Sequence, residues 1–267
     1  MNKIILKLLL ISSLSSILNL PAQKRISYSL QILYPEALKK NFIVYLDINT
    51  DHVDFYDAKF KDPREKASGM VQYITRKNGS KENTMFLQDF NSNYFRIKTT
   101  DMINWKLSDD YKTVDQYKLQ KATTEFGGRE WIVWFCNEIP LTEGPYKFNG
   151  LPGLIFEAED TSGVFKYTLL KTESLTKNAI LEAFKNKNIP DTTWEKYNKL
   201  LLNFYENPFQ KERESVQKGY EIAYDDKEMK VQDFSAKTKE FQERVKKNLP
   251  PLVESDKNVF QNIKNQK

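Results

Sequence analysis

The strongest constraint on the fold is a series of short segments, from about residue 27 to residue 170, in which apolar and polar residues alternate. In the clearest segment, Phe42, Val44, Leu46 and Ile48 occupy every second position. A period of two is typical of a β-strand with one buried face. Because these segments recur about every ten residues with turns of hairpin length, they predict an antiparallel meander.

The remaining segments of this kind are also predicted to be strands. They are residues 53–56, 70–75, 85–87, 94–99, 104–107, 113–119, 131–136, 154–159 and 164–170. Residues 77–80 and 107–110 are polar and are predicted to be turns, and 160–163 is predicted to be a hairpin turn. Residues 131–136 are apolar on both faces, which indicates a central strand that is covered on each side.

Beyond residue 170 the hydrophobic period changes from two to that of a helix. Helices are predicted over 176–187, 192–205 and 234–249, with a short strand at 219–224. Thr192 followed by Glu195 has the pattern of a capping box at the start of the second helix. The chain is therefore predicted to be α+β, with a large curved antiparallel sheet and C-terminal helices packed on one face. The curvature of the sheet could extend to an open half-barrel. Open half-barrels of bacterial lipoprotein carriers offer a fold-level analogy, which by itself assigns no function.

The ends of the chain indicate an exported protein. Residues 1–22 combine Lys3 and Lys7, an apolar stretch and a small-residue exit at Ala22, which is the form of a secretory signal peptide. Periplasmic or secreted location is expected, and no later stretch is apolar for about 18 residues, so no transmembrane span is predicted in the mature chain. The predicted divisions are 1–22 signal peptide, 23–172 sheet core, 173–250 helical extension on the sheet and 251–267 polar mobile tail.

A run rich in glycine and proline, GPYKFNGLPGLI at residues 144–155, interrupts the series of strands. Pro145 and Pro152 restrict φ, and Gly150 and Gly153 permit positive φ, so two sharp bends are predicted before the strand that begins at residue 154. Two interpretations are open. The run is either a buried corner between strands or a loop that binds a ligand or partner.

This run resembles the signature of the GLPGLI family of Bacteroidetes-type envelope proteins. The similarity extends upstream through QKATTEFGGREW at 120–131 and WFCNEIP at 134–140, and more loosely over 26–170 and 197–208. The resemblance implies an envelope location and partners in outer-membrane uptake or protein-processing machinery, but no settled activity. Family members often carry cysteine where this chain has Leu119, and threonine or serine where it has Cys136, so no redox or disulfide role carries over.

Few residues could support catalysis. A nucleophilic serine or cysteine needs a base, and His52, between Asp51 and Asp54 in a turn, is expected to be solvated or paired with those acids. One histidine and one cysteine cannot build a zinc site of imidazoles and thiolates. No catalytic residue, metal or cofactor is therefore predicted. Glu157 and Glu159 point the same way from one strand and leave a carboxylate-based hydrolase as an alternative.

Arg129 follows the Gly127-Gly128 pair and precedes an aromatic strand, and two interpretations of it are open. It could clamp a carboxylate of a ligand or stack on a ring, or it could pair within the chain with Glu125, Glu138 or a turn carbonyl. The candidate ligand- or partner-binding residues are Arg129, Trp131, Trp134, Pro145, Tyr146, Phe148, Gly150, Leu151, Pro152 and Gly153. Residues 1–22 contain two lysines and no acidic residue, so their removal lowers the net charge of the chain from +5 to +3. A charge of +3 is too low to indicate nucleic-acid binding.

The sequence thus favours a non-catalytic envelope protein that binds an apolar ligand or a partner protein through its curved sheet. The alternatives are a carboxylate-based hydrolase and an adaptor of an outer-membrane uptake or processing system. A carrier of lipophilic molecules predicts a continuous apolar concave pocket. A partner-binding protein predicts an exposed apolar patch near residues 144–153, and a hydrolase predicts Glu157 or Glu159 in a cleft beside a second carboxylate.

Overall fold

The computed structural model describes residues 23–59, 73–175, 188–224 and 227–260. Within them the predicted α+β class is confirmed by a 12-stranded, mostly antiparallel open sheet. Its strands are β1 (Lys24–Leu33), β2 (Lys39–Ile48), β3 (His52–Asp57), β4 (Tyr73–Lys77), β5 (Glu82–Gln88), β6 (Tyr94–Thr100), β7 (Lys106–Val114), β8 (Tyr117–Phe126), β9 (Arg129–Cys136), β10 (Leu154–Asp160), β11 (Phe165–Ser174) and β12 (Asp191–Thr192). The helices are α1 (Trp194–Glu206), α2 (Gln210–Gln217) and α3 (Asp233–Asn248), and β13 (Ala223–Tyr224) pairs separately with β14 (Lys227–Glu228).

The sheet has the order β12-β6-β5-β4-β3-β2-β1-β11-β10-β9-β8-β7. Residues 101–105 therefore join β6 to β7, which are ten strand spacings apart in that order. Ten spacings in a flat sheet would cover about 48 Å, whereas the six Cα steps of this connection reach at most ~21 Å. The short connection requires the sheet to curl strongly.

The rings on the inner face show the same curvature. The Tyr146 ring lies 6.1 Å from Phe55 on β3 and 6.5 Å from Phe126 on β8, although six strand spacings separate those strands. Phe148 lies 4.8 Å from Trp131 on β9. Side chains of the 144–155 run thus fill the concave side of the sheet and contact strands from both halves of it.

Alternation places a continuous apolar face inside. On β1, the side chains of Ile26, Tyr28, Leu30 and Ile32 are fully buried, and they are in one core cluster with Trp131 and its neighbours on β9. Burial of such side chains contributes roughly 1.5–3 kcal/mol each. The opposite face carries a second cluster of buried residues, which consists of Tyr56, Tyr73, Phe86, Tyr94 and Ile189.

The C-terminal helices pack beside the β5–β6 hairpin. The Tyr197 hydroxyl of α1 donates a hydrogen bond to the Gln88 carbonyl oxygen (2.5 Å), and Phe90 stacks on Phe204 at 5.6 Å. Phe241 of α3 contacts the same two rings. An aromatic cluster therefore attaches the helices to one end of the sheet.

Several local predictions need correction. Residues 107–110, predicted to be a turn, lie within β7, where the register with β8 breaks between Leu107 and Tyr111, and the turn comes at Asp115 with φ 50°. The N-cap of α1 is Thr193, whose hydroxyl accepts a hydrogen bond from the Lys196 N–H, and not Thr192. The predicted helix at 176–187 and the start of the predicted strand at 70–75 lie outside the described residues.

Residues 252–260, which we call the strap, belong to the predicted polar tail of 251–267, and the structure places them against the sheet core and the helices. Val253 is fully buried, and Glu254 and Phe260 are 4% and 5% exposed. The strap runs from the sheet core to the helices, where Phe260 contacts Tyr205 at 5.4 Å. These contacts, rather than its polar composition, hold the strap in place.

Candidate functional site

The signature run forms a buried corner in the hollow of the sheet. The Phe148 N–H donates to the Pro145 carbonyl (3.1 Å) and the Gly150 N–H to the Thr142 carbonyl (2.8 Å). Tyr146 lies in the left-handed region at φ 60°, and Gly150 has φ 91°, which confirms the positive φ expected there. The chain reverses direction in this way before it enters β10.

Gly153 does not adopt the positive φ that glycine permits, and the need for glycine there has another cause. A Cβ atom at Gly153 would lie 2.0 Å from the carbonyl oxygen of Cys136. At Gly144 a Cβ atom would lie 2.5 Å from the Ile155 side chain. Close approach of the chain to β9 and β10 therefore excludes side chains at both positions.

A buried ionic network lies beside this corner. The ammonium group of Lys147, which is fully buried, lies 3.0 Å from Asp101 and 2.7 Å from Glu254. The Tyr146 hydroxyl donates a 2.6 Å hydrogen bond to Glu254. Burial, together with the Glu254 carboxylate, raises the pKa of Tyr146 well above its ordinary value, so the phenol keeps its proton. Lys147 and Tyr146 together bind a carboxylate that belongs to the strap.

A second buried ion pair joins Arg76 on β4 to Glu143, just before the signature run. Burial raises the pKa of the Glu143 carboxyl, whereas the Arg76 guanidinium opposes that shift. A buried cation whose partner is removed is strongly destabilising. The pair therefore holds the start of the signature run against the opposite half of the sheet.

Arg129 contacts the chain itself. Its guanidinium lies 3.0 Å from Asp160 Oδ2 and 5.0 Å above the Phe165 ring. It also donates hydrogen bonds to the carbonyl oxygens of Val253 (3.0 Å) and Leu252 (3.2 Å). The clamp expected at Arg129 is thus occupied by the backbone of the strap.

Six of the ten candidate residues are buried in the structure. Those with buried side chains or backbone are Trp131, Pro145, Tyr146, Phe148, Leu151 and Gly153. Trp134 is partly exposed on the outer face, where the Lys112 ammonium lies 4.5 Å from its ring centroid, and Gly150 and Pro152 are exposed. Binding through the candidate set remains a proposal, and Arg129, Trp134, Gly150 and Pro152 are the members that keep some exposed surface.

The carboxylates considered for hydrolysis are paired with lysines. Glu157 lies 2.7 Å from Lys112, and Glu159 lies 2.8 Å from Lys166. A hydrolase of the expected kind would need one of them beside a second carboxylate. No group of three or more His, Cys, Asp or Glu side chains in the described parts of the chain could hold a metal ion.

His52 is paired with acids, as expected. Its Nδ1 atom lies 2.5 Å from Asp51 Oδ1 and its Nε2 atom 3.1 Å from Asp54 Oδ2. The contact with Asp54, followed by that with Asp51, raises the pKa of His52 to about 9. The imidazole is therefore cationic at neutral pH and unsuited to act as a general base.

Sequence reasoning missed an open edge of the sheet at β7. Its exposed apolar side chains are Leu107 (57% exposed) and Tyr111 (49%), and Met102, in the connection before it, is 65% exposed. The Trp105 indole N–H donates to the Asn149 carbonyl oxygen (2.8 Å), so this edge adjoins the exposed turn of the signature run. Residues 108–110 are predicted to be a turn because they are polar, whereas they belong to a strand whose two faces are both largely exposed.

A groove of 880 Å³ lies between the β5–β6 turn and the helices. Its aromatic floor contains Phe90, Phe204 and Phe241. Cationic side chains of the lining are Lys196, Lys199, Lys211 and Arg244, against the acids Asp89 and Glu212. The rim of the groove therefore carries an excess of positive charge. The sequence pattern could not predict this excess, because the cationic residues come from three separate helices.

Comparison with known families gives one match. Residues 127–157, from the β8–β9 turn to β10, match a family described as "Protein of unknown function (Porph_ging)". The matched stretch contains Arg129 and the whole signature run. It is consistent with a Bacteroidetes-type family and assigns no activity.

Solved structures share part of the fold. Two structures of PNGF-II, in space groups C2 and P21, have TM-scores of 0.54 and 0.53 at 16% and 15% identity and cover 68% of this chain. The chain spans about a third of PNGF-II, since 33% of that chain is covered. At this identity the likeness concerns the fold alone.

A LolA superfamily protein, NE2245 from Nitrosomonas europaea, has a TM-score of 0.29 and 10% identity over 59% of this chain and 88% of its own. That score is too low to support an argument from likeness. Comparison with curated proteins found no match. Helices in the described residues are too short or too polar to cross a membrane.

Proposed function

We propose that this chain is a non-catalytic protein of the cell envelope that binds a partner protein along the open β7 edge of its sheet. The observation that carries the proposal is the row of exposed apolar side chains on and before this edge, next to the exposed turn of the signature run. The signal-peptide form of residues 1–22 supports an exported location, periplasmic or secreted.

An edge strand offers unpaired backbone N–H and C=O groups to an incoming strand. β7 has nine residues, and Leu107 near its start and Tyr111 just past its middle can supply apolar contacts. Lys106 and Asp109 add charges of both signs. Such a mixed edge favours recognition of one extended segment of a partner over unspecific aggregation. An adaptor of outer-membrane uptake or processing machinery would use a surface of this kind.

The concave face, in contrast, gives less support to a carrier of lipophilic molecules. Its central positions are occupied by Tyr146, Phe148 and Leu151, and it contains the ionic network of Lys147. A lipophilic ligand remains the second candidate because of the aromatic floor of the helical groove. Binding of a long-chain fatty acid by the purified protein, lost in Phe204→Asp and kept in Tyr220→Asp, would favour that candidate.

The partner proposal is tested by photo-crosslinking from single positions in the native envelope. Leu107 and Leu170 have similar exposure, 57% and 52%, but only Leu107 lies on the open edge. We expect a photoreactive residue at 107 to give one discrete cross-linked protein and the same residue at 170 to give none. Leu107→Lys should abolish recovery of that protein, whereas Leu170→Lys should not. Equal cross-linking from both positions, or none from 107, would refute the proposal.

A further inference from the structure

We propose that the signature run, the β8–β9 turn and Arg129, here together called the signature region, form a peptide-recognition site, and that residues 252–257 of the strap occupy it in cis. The site takes an extended peptide in which an aliphatic residue is followed by glutamate and serine, as in Val253-Glu254-Ser255. This site is separate from the β7 edge, and the inference does not depend on the proposed function.

Backbone recognition comes from the β8–β9 turn and from Arg129. Arg129 donates to two successive carbonyl oxygens of the strap, at 3.0 and 3.2 Å. The Ser255 hydroxyl lies 3.1 Å from the carbonyl oxygens of both Gly127 and Gly128. Arg129, and the Gly127 carbonyl oxygen that accepts a hydrogen bond from the Asp256 N–H (3.4 Å), bind the main chain of the strap, whereas Ser255 contributes a side chain. No β-ladder joins the two segments.

The Gly127-Gly128 pair is needed for close approach. Both glycines have positive φ, at 63° and 71°. A Cβ atom at Gly127 would lie 2.8 Å from the Glu254 Cα atom, and one at Gly128 would lie 2.8 Å from the Ser255 hydroxyl oxygen. Absence of side chains on the turn therefore provides the space in which the strap lies.

Side-chain recognition is centred on Glu254. Its carboxylate lies 2.7 Å from the buried Lys147 ammonium and accepts the 2.6 Å hydrogen bond from Tyr146. Val253, beside it, is fully buried in the sheet core. Without Glu254 the buried ammonium would keep Asp101 alone as an ionic partner among the described contacts, which is unfavourable in a dry site. The site therefore selects for an acidic residue at this position.

The strap has the features of a bound peptide. Its only regular structure is the single 3-10 turn Ser255–Lys257. It follows α3 through Leu249, Pro250 and Pro251, where α3 has ended and the prolines favour an extended chain. Contacts with the signature region hold its first part, from Leu252 to Ser255, and a ring contact with Tyr205 of α1 holds Phe260.

The test uses the full chain with a protease recognition sequence inserted between Pro250 and Pro251. After cleavage we expect the cut strap to stay bound to the rest of the protein during gel filtration. We also expect a fluorescent synthetic peptide of residues 251–267 to exchange with the cut strap in a saturable manner. Glu254→Gln in that peptide should weaken binding at least tenfold, because the neutral amide cannot neutralise Lys147. Asp256→Asn is the matched control, since the Asp256 side chain faces solvent and pairs with Lys257.

Three results would overturn the inference. The first is unfolding of the cleaved body by circular dichroism, which would make the strap a part of the core and not a ligand. The second is immediate loss of the strap from a folded body without rebinding of the peptide. The third is equal binding of the Glu254→Gln and Asp256→Asn peptides.

Discussion

At the scale of single residues, the signature run uses glycine for two different reasons. Gly150 has the left-handed backbone that glycine tolerates, and a Cβ atom there would meet only Trp105 Nε1, at 3.9 Å. At Gly153 the backbone angle is ordinary, and the space is taken by the Cys136 carbonyl. Two substitutions that look alike in sequence should therefore have unlike costs.

We expect Gly153→Ala to lower the free energy of unfolding by more than about 3 kcal/mol, because β9 or the corner must shift to admit a methyl group. Gly163→Ala is the matched control: it has φ 69° and nothing within 4 Å, so only the backbone penalty of about 1 kcal/mol applies. Urea unfolding followed by tryptophan fluorescence measures both. Equal costs would show that space at Gly153 is not limiting.

His52 should make the folded chain less stable as the pH rises above neutrality. Its pKa is raised from 6.5 to about 9 in the folded chain. The stabilisation is therefore complete below about pH 6.5 and is lost as the pH rises from there through 9. We expect on the order of 1 kcal/mol, less than the shift alone implies, because the imidazole is partly exposed to solvent.

The measurement is the urea midpoint between pH 6 and pH 9.5 for the wild-type chain and for His52→Gln. The fall in stability across this range should be smaller in the variant, which has no imidazole to lose a proton. Lys77 lies opposite His52 in the β3–β4 register and is present in both chains, so it should contribute equally to both curves. Parallel curves would exclude the pairing of His52 with Asp51 and Asp54.

At the scale of elements, the beginning of α1 distinguishes two adjacent threonines. Thr193 caps the helix through the Lys196 N–H, whereas Thr192 lies in β12 and pairs with Ile97. Thr193→Ala should cost about 1 kcal/mol of stability. Thr192→Ala should lower the stability clearly less. If thermal unfolding showed a larger loss for Thr192→Ala than for Thr193→Ala, the predicted capping box of Thr192 and Glu195 would be correct.

Elements were predictable where one face is buried and the other is wet. β2 follows the alternation of Val44 and Leu46, and α3 follows its stripe of Phe241 and Val245. β7 was not predictable as one strand because both of its sides are exposed, so its residues lack a buried period. The strap was missed because its burial depends on Lys147 and Tyr146, which lie more than one hundred positions away in sequence.

Three of the aromatic candidate residues lie close together, but the sequence could not predict which face of the sheet their rings occupy. Trp131, Tyr146 and Phe148 do come together, with Phe148 4.8 Å from Trp131 and 6.4 Å from Tyr146. An aromatic run has the same composition whether it lines a binding surface or fills a core. Only the curl of the sheet, which follows from the short connection 101–105, decides that these rings face inward.

At the scale of the whole molecule, the strap couples the sheet to the helices. Val253 is buried in the sheet core, and Phe260 contacts Tyr205 of α1 and Phe90 of the β5–β6 turn. Loss of either attachment should weaken the other. We therefore expect sheet and helices to unfold in one cooperative transition.

Phe260→Ala tests this coupling. It should lower the midpoint of thermal unfolding by the equivalent of about 3 kcal/mol, through loss of a buried ring. Far-UV circular dichroism of the helices and near-UV circular dichroism of the buried aromatic residues should shift together. Separate transitions for the two signals would show that the strap does not link them.

The two edges of the sheet differ, and this limits how copies or partners can assemble. β12 pairs in parallel with β6 at Arg96 and Ile97, so that edge is partly closed within the chain, whereas no described residue pairs with the outer side of β7. Within the described 12-stranded sheet, a strand-to-strand contact through β7 leaves no second edge of the same kind for a third molecule. Association by this route therefore ends at a closed pair and does not continue into a fibre.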